Sequence, residues 1–511
     1  MGGERFMNEN IEHGMSGQQI QDVMERFAKL EKSLRDELAN ANAQIIALKT
    51  EVKNLNQKIN ELTLENIVLR TENQRLTTEN RRLTDENERM KRTLNNNSTN
   101  SSQPPSSDQK GKSANTYNTR EKTGKKRGGQ KGHKGTTLTR KTVEEKIENG
   151  EFQYKREDRG NPGGDYVSRY VIDLQVIPTA TELRFFADET GKITLPEEYR
   201  SEVVYGPFVK AMAVALYADG VMSNDRIRDF INAISGGALG LSTGSVYGFC
   251  SSFAAKCAGS LRRIKDEILG ASVVGTDATT MTTNGVQTYI RNFSIEDAVI
   301  YISLMSKNLK AMEGIELLTK ITSILMHDHE TALYHFGGDH AECMEHLIRY
   351  LIKNTQESKN LWSDDLVKLL VSMNTERNRL KEIGEKSMPD ETIADFEAFY
   401  DELITRGRAQ NAATKGAHAK NEEKTLLNRL VKFKRNHLLF LHNFHVPFTN
   451  NQSERDLRKG KNRQKMAGGF REPSGSQMYC DILSVIETCK RKKMAIFANL
   501  VNIFNGVPAI F

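Results

Sequence analysis

Three carboxylates stand where their surroundings suit chemistry. Asp277 closes the short apolar run Ala271-Ser-Val-Val-Gly-Thr-Asp277, and Asp328 closes a second, Ile321-Thr-Ser-Ile-Leu-Met-His-Asp328. Glu454 lies in Asn450-Asn-Gln-Ser-Glu454-Arg455-Asp-Leu-Arg458, where the two asparagines suit a helix start. Three converging carboxylates can hold two divalent ions roughly 3.5–4 Å apart, which activate an attacking hydroxyl and stabilise the leaving 3′ oxygen of a phosphodiester. Hard oxygen donors favour Mg²⁺ or Mn²⁺ over zinc. Arg455 and Arg458 beside the glutamate suit a phosphate clamp, since guanidinium matches phosphate bidentately.

The elements that must position these groups follow from periodicity. After the Asp277 strand come Val286–Phe293 and Ala298–Met305, separated by Ser-Ile-Glu-Asp, which suits a hairpin turn. An amphipathic helix over 308–320 then leads to the Asp328 strand. Strand, hairpin, helix, strand is the order of an RNase H-like core, in which the first and fourth strands lie side by side and bring Asp277 and Asp328 together. His327 and His329 flank Asp328 and should point away from it, because side chains alternate along a strand. Cys343 and His346 share a helix face at i,i+3. By type they allow a zinc site or a Cys–His nucleophile pair, although no second ligand pair and no orienting third group accompanies them.

The N-terminal segment reads differently. From Met24 to Leu94 a seven-residue repeat places Leu48, Leu55, Leu62, Leu69, Leu76 and Leu83 at one core position, and Asn66, Asn73, Asn80 and Asn87 at the other. A 3.5-residue period sustained over this length predicts a left-handed coiled coil, and asparagine at the a position selects a parallel dimer in register. Residues 95–118 are polar, low in complexity and interrupted by proline, as a flexible linker is. Residues 119–141 alternate basic side chains with glycine. Lys125, Lys126, Arg127, Lys131 and Lys134 can follow a phosphate backbone there.

Short alternating runs over 143–200 predict a small β unit, and 201–270 predicts helices compatible with a helix-turn-helix-like bundle.

Charge and composition narrow the function classes. The 511 residues carry a formal +7, of which residues 95–143 contribute +9 and the segments on either side −1 each. That distribution belongs to a nucleic-acid-binding arm. Only 37% of residues are hydrophobic, so part of the chain should lie outside any core. Five cysteines without a CxxC pair exclude a disulfide framework and a four-cysteine zinc module. No apolar run reaches the length of a membrane span, no charged-then-apolar leader opens the sequence, and no P-loop pattern is present.

Taken together, these motifs resemble the transposases of the bacterial insertion sequence 66 family, which use a DDE catalytic core. The likeness runs across nearly the whole chain. It rests on the Ser/Asn-rich linker with Pro-Pro-Ser-Ser-Asp108, on Gly128-Gly-Gln-Lys-Gly-His-Lys-Gly135, and on Tyr205-Gly-Pro207. It rests further on Gly275-Thr-Asp277-Ala-Thr, on Asp328 with Tyr334, and on Cys343-Met-Glu-His346-Leu-Ile-Arg349. Asn450-Asn-x-x-Glu454-Arg-x-x-Arg458 and Lys461-Asn-Arg463-Gln-Lys-Met-Ala-Gly-Gly469 complete the set. There are three departures: no cysteine over 143–200, where the family commonly has a zinc module; Ala278 where Glu is common; and Thr449 where Asp is common.

The resemblance implies that Asp277, Asp328 and Glu454 are catalytic and bind two Mg²⁺ or Mn²⁺ ions, with no zinc expected. It adds Lys461 and Arg463 to the phosphate contacts, and gives Cys343, His346 and Arg349 a structural role beside the site. The implied layout is a coiled coil over 1–94, a linker and basic arm over 95–142, a small β subdomain over 143–200 and a helical domain over 201–270. A catalytic core over 271–350 and 441–511 then encloses a helical insertion over 351–440. The implied partners are the element's terminal inverted repeats, target DNA, a second copy of the chain or a larger assembly, and helper proteins of the same element. The implied location is the bacterial cytoplasm, at the nucleoid. The alternative reading is a catalytically inactive, transposase-derived, dimeric DNA-binding protein.

Overall fold

The computed structural model describes residues 16–95, 138–159, 164–414 and 416–509. The chain forms two units, divided after Asn96. In the first, α1 (Gly17–Asn95) is one uninterrupted helix of 79 residues. At 1.5 Å per residue that is about 120 Å of rod. No Gly or Pro follows Gly17 within it, and Arg35–Glu31, Arg75–Glu72 and Arg82–Glu79 pair along its surface at 2.7–2.8 Å. Its leucines Leu48, Leu55, Leu62, Leu69, Leu76 and Leu83 are all exposed, as are Asn66, Asn73, Asn80 and Asn87.

The second unit opens with α2 (Arg140–Glu148), capped by the Thr139 hydroxyl, which accepts from the Thr142 N–H. The stretch expected to form a small β unit contains no strand among the described residues, only this helix and a 3₁₀ turn at Glu197–Tyr199. The alternation is present, but most of its apolar side chains stay exposed, Phe185 against Tyr199 being one exception. Val171, Leu174 and Phe186 are each more than 80% exposed, so no ladder or core rewards the extended chain.

Four helices follow: α3 (Pro207–Ala218), α4 (Asn224–Ile234), α5 (Thr243–Lys256) and α6 (Ala258–Gly270). Proline at the first position starts α3, and Ser223 and Ser242 cap α4 and α5 by accepting backbone N–H bonds.

A five-stranded sheet comes next, with β1 (Val273–Thr283), β2 (Val286–Ser294), β3 (Val299–Leu304), β4 (Ile324–His327) and β5 (Asp339–Glu342) in the order β3-β2-β1-β4-β5. The β1–β2 and β2–β3 pairs are antiparallel, and β1–β4 and β4–β5 are parallel. Asn284 and Gly285, both with positive φ, make the two-residue turn between β1 and β2. The single helix expected over 308–320 is two short ones, α7 (Leu309–Glu313) and α8 (Glu316–Lys320), broken around Gly314.

Five helices run between β5 and the glutamate segment: α9 (Met344–Ser358), α10 (Trp362–Glu382), α11 (Asp390–Ala413), α12 (Ala417–Lys432) and α13 (Lys434–His442). The chain ends with α14 (Asn451–Ala467), α15 (Pro473–Arg491) and α16 (Ile496–Phe504). One core joins α3–α5 to α15, α16 and the sheet through Val214, Ile227, Phe253, Tyr301 and Ile482. A second gathers the helices after β5 around Trp362 and Tyr400, and a third packs α6 against Phe293, Ile300 and Leu325.

Candidate active site

Asp277 sits in the middle of β1, and Asp328 is the first residue after β4, which runs parallel beside it. Glu454 lies in the first turn of α14. How α14 reaches the sheet is set by Gly275. A Cβ there would stand 2.6 Å from Ser453 Oγ and 2.8 Å from Asn450 Oδ1, so only glycine lets the helix start come this close. Asn450 is the N-cap residue, but its side chain does not cap. Its Nδ2 donates to the Thr276 carbonyl at 2.9 Å, fastening the helix start to the strand that carries Asp277.

Asn292 on β2 completes the fastening. Its Oδ1 accepts from the Asp277 N–H at 3.0 Å, and its Nδ2 donates to the Ser453 carbonyl at 3.0 Å. Behind it, Arg491 donates to Asp456 on α14, so the helix is anchored on its buried side as well.

The turn carrying Asp328 is held from both directions. His329 adopts φ +64°, a left-handed backbone uncommon for residues other than glycine. Its Nδ1 bonds Glu342 Oε1 at 2.8 Å. Glu330 turns the opposite way and accepts from the fully buried Arg291 at 2.6 Å. Glu342 is buried and also receives Tyr334 and Arg429, with His437 Nε2 at 3.3 Å. Burial alone would raise its pKa. The contacts from His329 and His437 and the Arg429 charge reverse that and hold the carboxylate well below its usual range. His327, on the same turn, packs against Tyr334 and His340. Both histidines beside Asp328 thus turn toward the Glu342 cluster, but not by the expected strand alternation, since β4 ends at His327 and His329 lies in a left-handed turn.

Cys343 and His346 enter the site itself. Cys343 precedes α9, its N–H donates to the His327 carbonyl at 3.0 Å, and its Sγ accepts from the Asn450 N–H at 3.2 Å. His346 Nδ1 lies 3.3 Å from Asp328 Oδ1 and 3.6 Å from Glu454 Oε1. Donor atoms of Asp328, Cys343, His346 and Glu454 all fall within 4.8 Å of one another, the one such group among the described residues. Asp328 Oδ1, His346 Nδ1 and Glu454 Oε1 are buried and make no hydrogen bond. Buried carboxylate oxygens that converge on an imidazole are what a cation-binding pocket presents once that imidazole gives up its proton, so these residues fit a divalent ion.

The electrostatics agree. Burial, and then the Asp328 charge, push the Asp277 carboxyl upward. Burial also raises Glu454, with the His346 and Arg349 charges pulling the other way. Burial would lower His346, but the Asp328 carboxylate and the Cys343 thiol beside it raise it to about 11. Asp277 stands outside the four-donor group but is electrostatically tied to three of its members, Asp328, Glu454 and His346.

Of the expected phosphate contacts, Arg455, Arg458 and Lys461 are exposed on α14. Arg463 is not available. It is buried, donates to the Met222 carbonyl at 2.6 Å and lies over the Tyr217 ring at 4.2 Å, so it ties α14 to the end of α3. A helix pointing one side to solvent buries the next, and Arg463 falls on the inner side. Lys125, Lys126, Arg127, Lys131 and Lys134 lie outside the described residues. Arg349 is largely buried beside Glu345 at 3.3 Å.

Sequence reasoning passed over Asn292, Arg291 and Glu342. A signal existed, for Arg291-Asn292 are two strongly polar residues standing between Ile290 and Phe293 in a strand.

A family model described as Transposase IS66 family matches residues 203–478, more than half the chain and a span that contains all three carboxylates. The chain belongs to the Transposase IS66 family. Residues 28–139 match a second model, described as a family of unknown function (DUF6444). No curated protein matches the chain. Membership in the IS66 family supports a transposase role, and with it DNA as a partner and use of divalent metal. Among the described residues no helix is long and apolar enough to cross a membrane.

Proposed function

We propose that this IS66-family chain is a DNA transposase whose RNase H-like core carries Asp277, Asp328 and Glu454 as a metal-binding catalytic triad. In this reading it binds the terminal inverted repeats of its element, cleaves a strand at each end and joins the exposed 3′ ends to target DNA. The observation that carries it is the meeting of Asp328 and Glu454, from the end of β4 and the start of α14, with unpartnered oxygens in one buried pocket next to the Asp277 strand. The sheet order β3-β2-β1-β4-β5 supports the fold assignment.

Divalent ions bound there would supply a polarised attacking oxygen and charge neutralisation at the phosphate. The chain's own residues do the rest. Asp277, Asp328 and Glu454 orient the reacting ends, Asn292 and Asn450 hold the two carboxylate-bearing elements in register, and Arg455 and Arg458 engage phosphate oxygens. One phosphodiester replaces another, so no high-energy cofactor is consumed. The basic arm and the helices over 201–270 contribute DNA contacts. The exposed leucine–asparagine stripe of α1 pairs two copies, which suits a reaction that holds two DNA ends at once. The reaction belongs at the bacterial nucleoid, and helper proteins of the same element are natural partners.

The test is strand cleavage and joining on DNA that flanks the protein's own coding sequence, with Mg²⁺ and Mn²⁺, comparing wild type with Asp277→Asn, Asp328→Asn and Glu454→Gln. Activity in wild type and its loss in all three supports the reading. Full activity in any one variant removes that residue from the triad.

A further inference from the structure

A thiol and an imidazole are poor ligands for magnesium, yet both face the two carboxylates that the proposed chemistry uses. Mg²⁺ takes six oxygens and keeps several waters, whereas thiolate and imidazole select zinc-like ions. We infer that Asp328, Cys343, His346 and Glu454 form a four-donor site for a single thiophilic divalent cation of the zinc type.

The distances support four-coordination. An ion bound at about 2.0–2.3 Å to O, N and S donors sets neighbouring donors about 3.3–3.7 Å apart in a tetrahedron. His346 Nδ1 already lies 3.3 Å from Asp328 Oδ1 and 3.6 Å from Glu454 Oε1. The other pairs lie within 4.8 Å, so small rotamer changes close the set. His346 is only 8% exposed, and its Nδ1 has no hydrogen-bond partner, nor do the two carboxylate oxygens it faces. The Asn450 N–H directed at Cys343 Sγ supplies the outer-sphere donor that a bound thiolate needs. On binding, the sulfur–metal and nitrogen–metal bonds form as the Cys343 thiol proton and the His346 imidazolium proton leave to solvent.

Asp277 is outside this group. The zinc-type site and the catalytic triad therefore share Asp328 and Glu454 and differ in the third partner. A zinc-type ion on the four donors withdraws both shared carboxylates from magnesium, and the two ions compete.

The test is titration of reduced, metal-free, full-length protein with Co²⁺, in the absence of DNA, followed by absorbance. One equivalent should give the intense visible bands of four-coordinate cobalt and a sulfur-to-cobalt charge-transfer band. Zn²⁺ should bleach both, while Mg²⁺ should not. Cys343→Ser should abolish the charge-transfer band, and Glu454→Gln, on a partly exposed side chain, should weaken Co²⁺ binding at least about tenfold. Asp277→Asn should leave the spectrum unchanged.

Absence of the charge-transfer band overturns the inference. So does its survival in Cys343→Ser, which assigns the ion to another cysteine, or undiminished binding in Glu454→Gln. Because the readout needs neither DNA nor turnover, a cobalt spectrum from a protein that cleaves no DNA would sink the proposed function and leave this site standing. Magnesium-dependent cleavage without the spectrum would do the reverse.

Discussion

Asn292 serves two of the three carboxylate-bearing segments with one amide, accepting from the Asp277 N–H and donating to the Ser453 carbonyl. Replacing it with alanine strands both backbone groups in a buried place, at a cost of about 1–3 kcal/mol. It also frees α14 to shift against β1. On the proposed chemistry Asn292→Ala lowers single-turnover cleavage by up to about 10²-fold, because misplacement of an ångström is that costly. DNA affinity, read by gel shift, stays at the wild-type level. Gly275 makes a different prediction. Gly275→Ala pushes a methyl into Ser453 Oγ and Asn450 Oδ1, and overpacking of this kind costs about 1–3 kcal/mol, seen as a lower urea midpoint. At this scale the sequence is most legible where chemistry and position coincide. Asp328 follows the end of a strand and Glu454 opens a helix, and their side-chain types announce them; Asp277, expected to close its strand, instead sits inside β1, which runs on to Thr283. Arg463 defies its sequence expectation because charge alone does not say which side of a helix faces the solvent. The polar pair Arg291-Asn292 marks Asn292 as unusual in its strand, but its partners in distant segments leave no trace in the local sequence.

At the scale of elements, the Glu342 cluster links β5, α12, α13 and the turn after β4 through Arg429, His437, Tyr334 and His329. Glu342→Gln removes the counter-charge of a buried arginine, a loss of about 3–5 kcal/mol at neutral pH. Because the folded-state pKa of Glu342 is depressed, its contribution is fully present above the usual carboxylate range and fades as pH falls through and below it. Denaturation midpoints of wild type and Glu342→Gln should therefore differ most near pH 7 and converge in acid. The strand order around β1 is readable from alternation and turn residues, since each run has a neighbouring run to pair with. The stretch over 143–200 has alternation too, but its described residues find no strand to pair with and form no sheet. Periodicity reports what a segment is able to bury, and the fold decides whether anything covers it.

At the scale of the whole molecule, α1 exposes an apolar stripe along its length that a single helix has no means to bury. On the pairing reading, Leu62→Asp together with Leu69→Asp converts a dimer to a monomer in sedimentation, while the wild type sediments as a dimer at the same concentration. The positive charge concentrated over 95–143 predicts a steep salt dependence of DNA binding. Replacing Lys125, Lys126 and Arg127 with alanine should flatten the log–log slope by about 0.9 for each phosphate no longer neutralised. This charge distribution needs no structure to be read, whereas the coupling between Asn292 and Ser453 spans 161 residues and appears only in the folded chain. That span has a temporal meaning. During synthesis the sheet strands leave the ribosome long before α14 and α15, and domains fold as their sequence emerges. The pocket lacks Glu454 until α14 has been made and has docked on the waiting strands. On the proposed chemistry, a chain that stops short of α14 carries Asp277 and Asp328 without Glu454, and should cut no DNA.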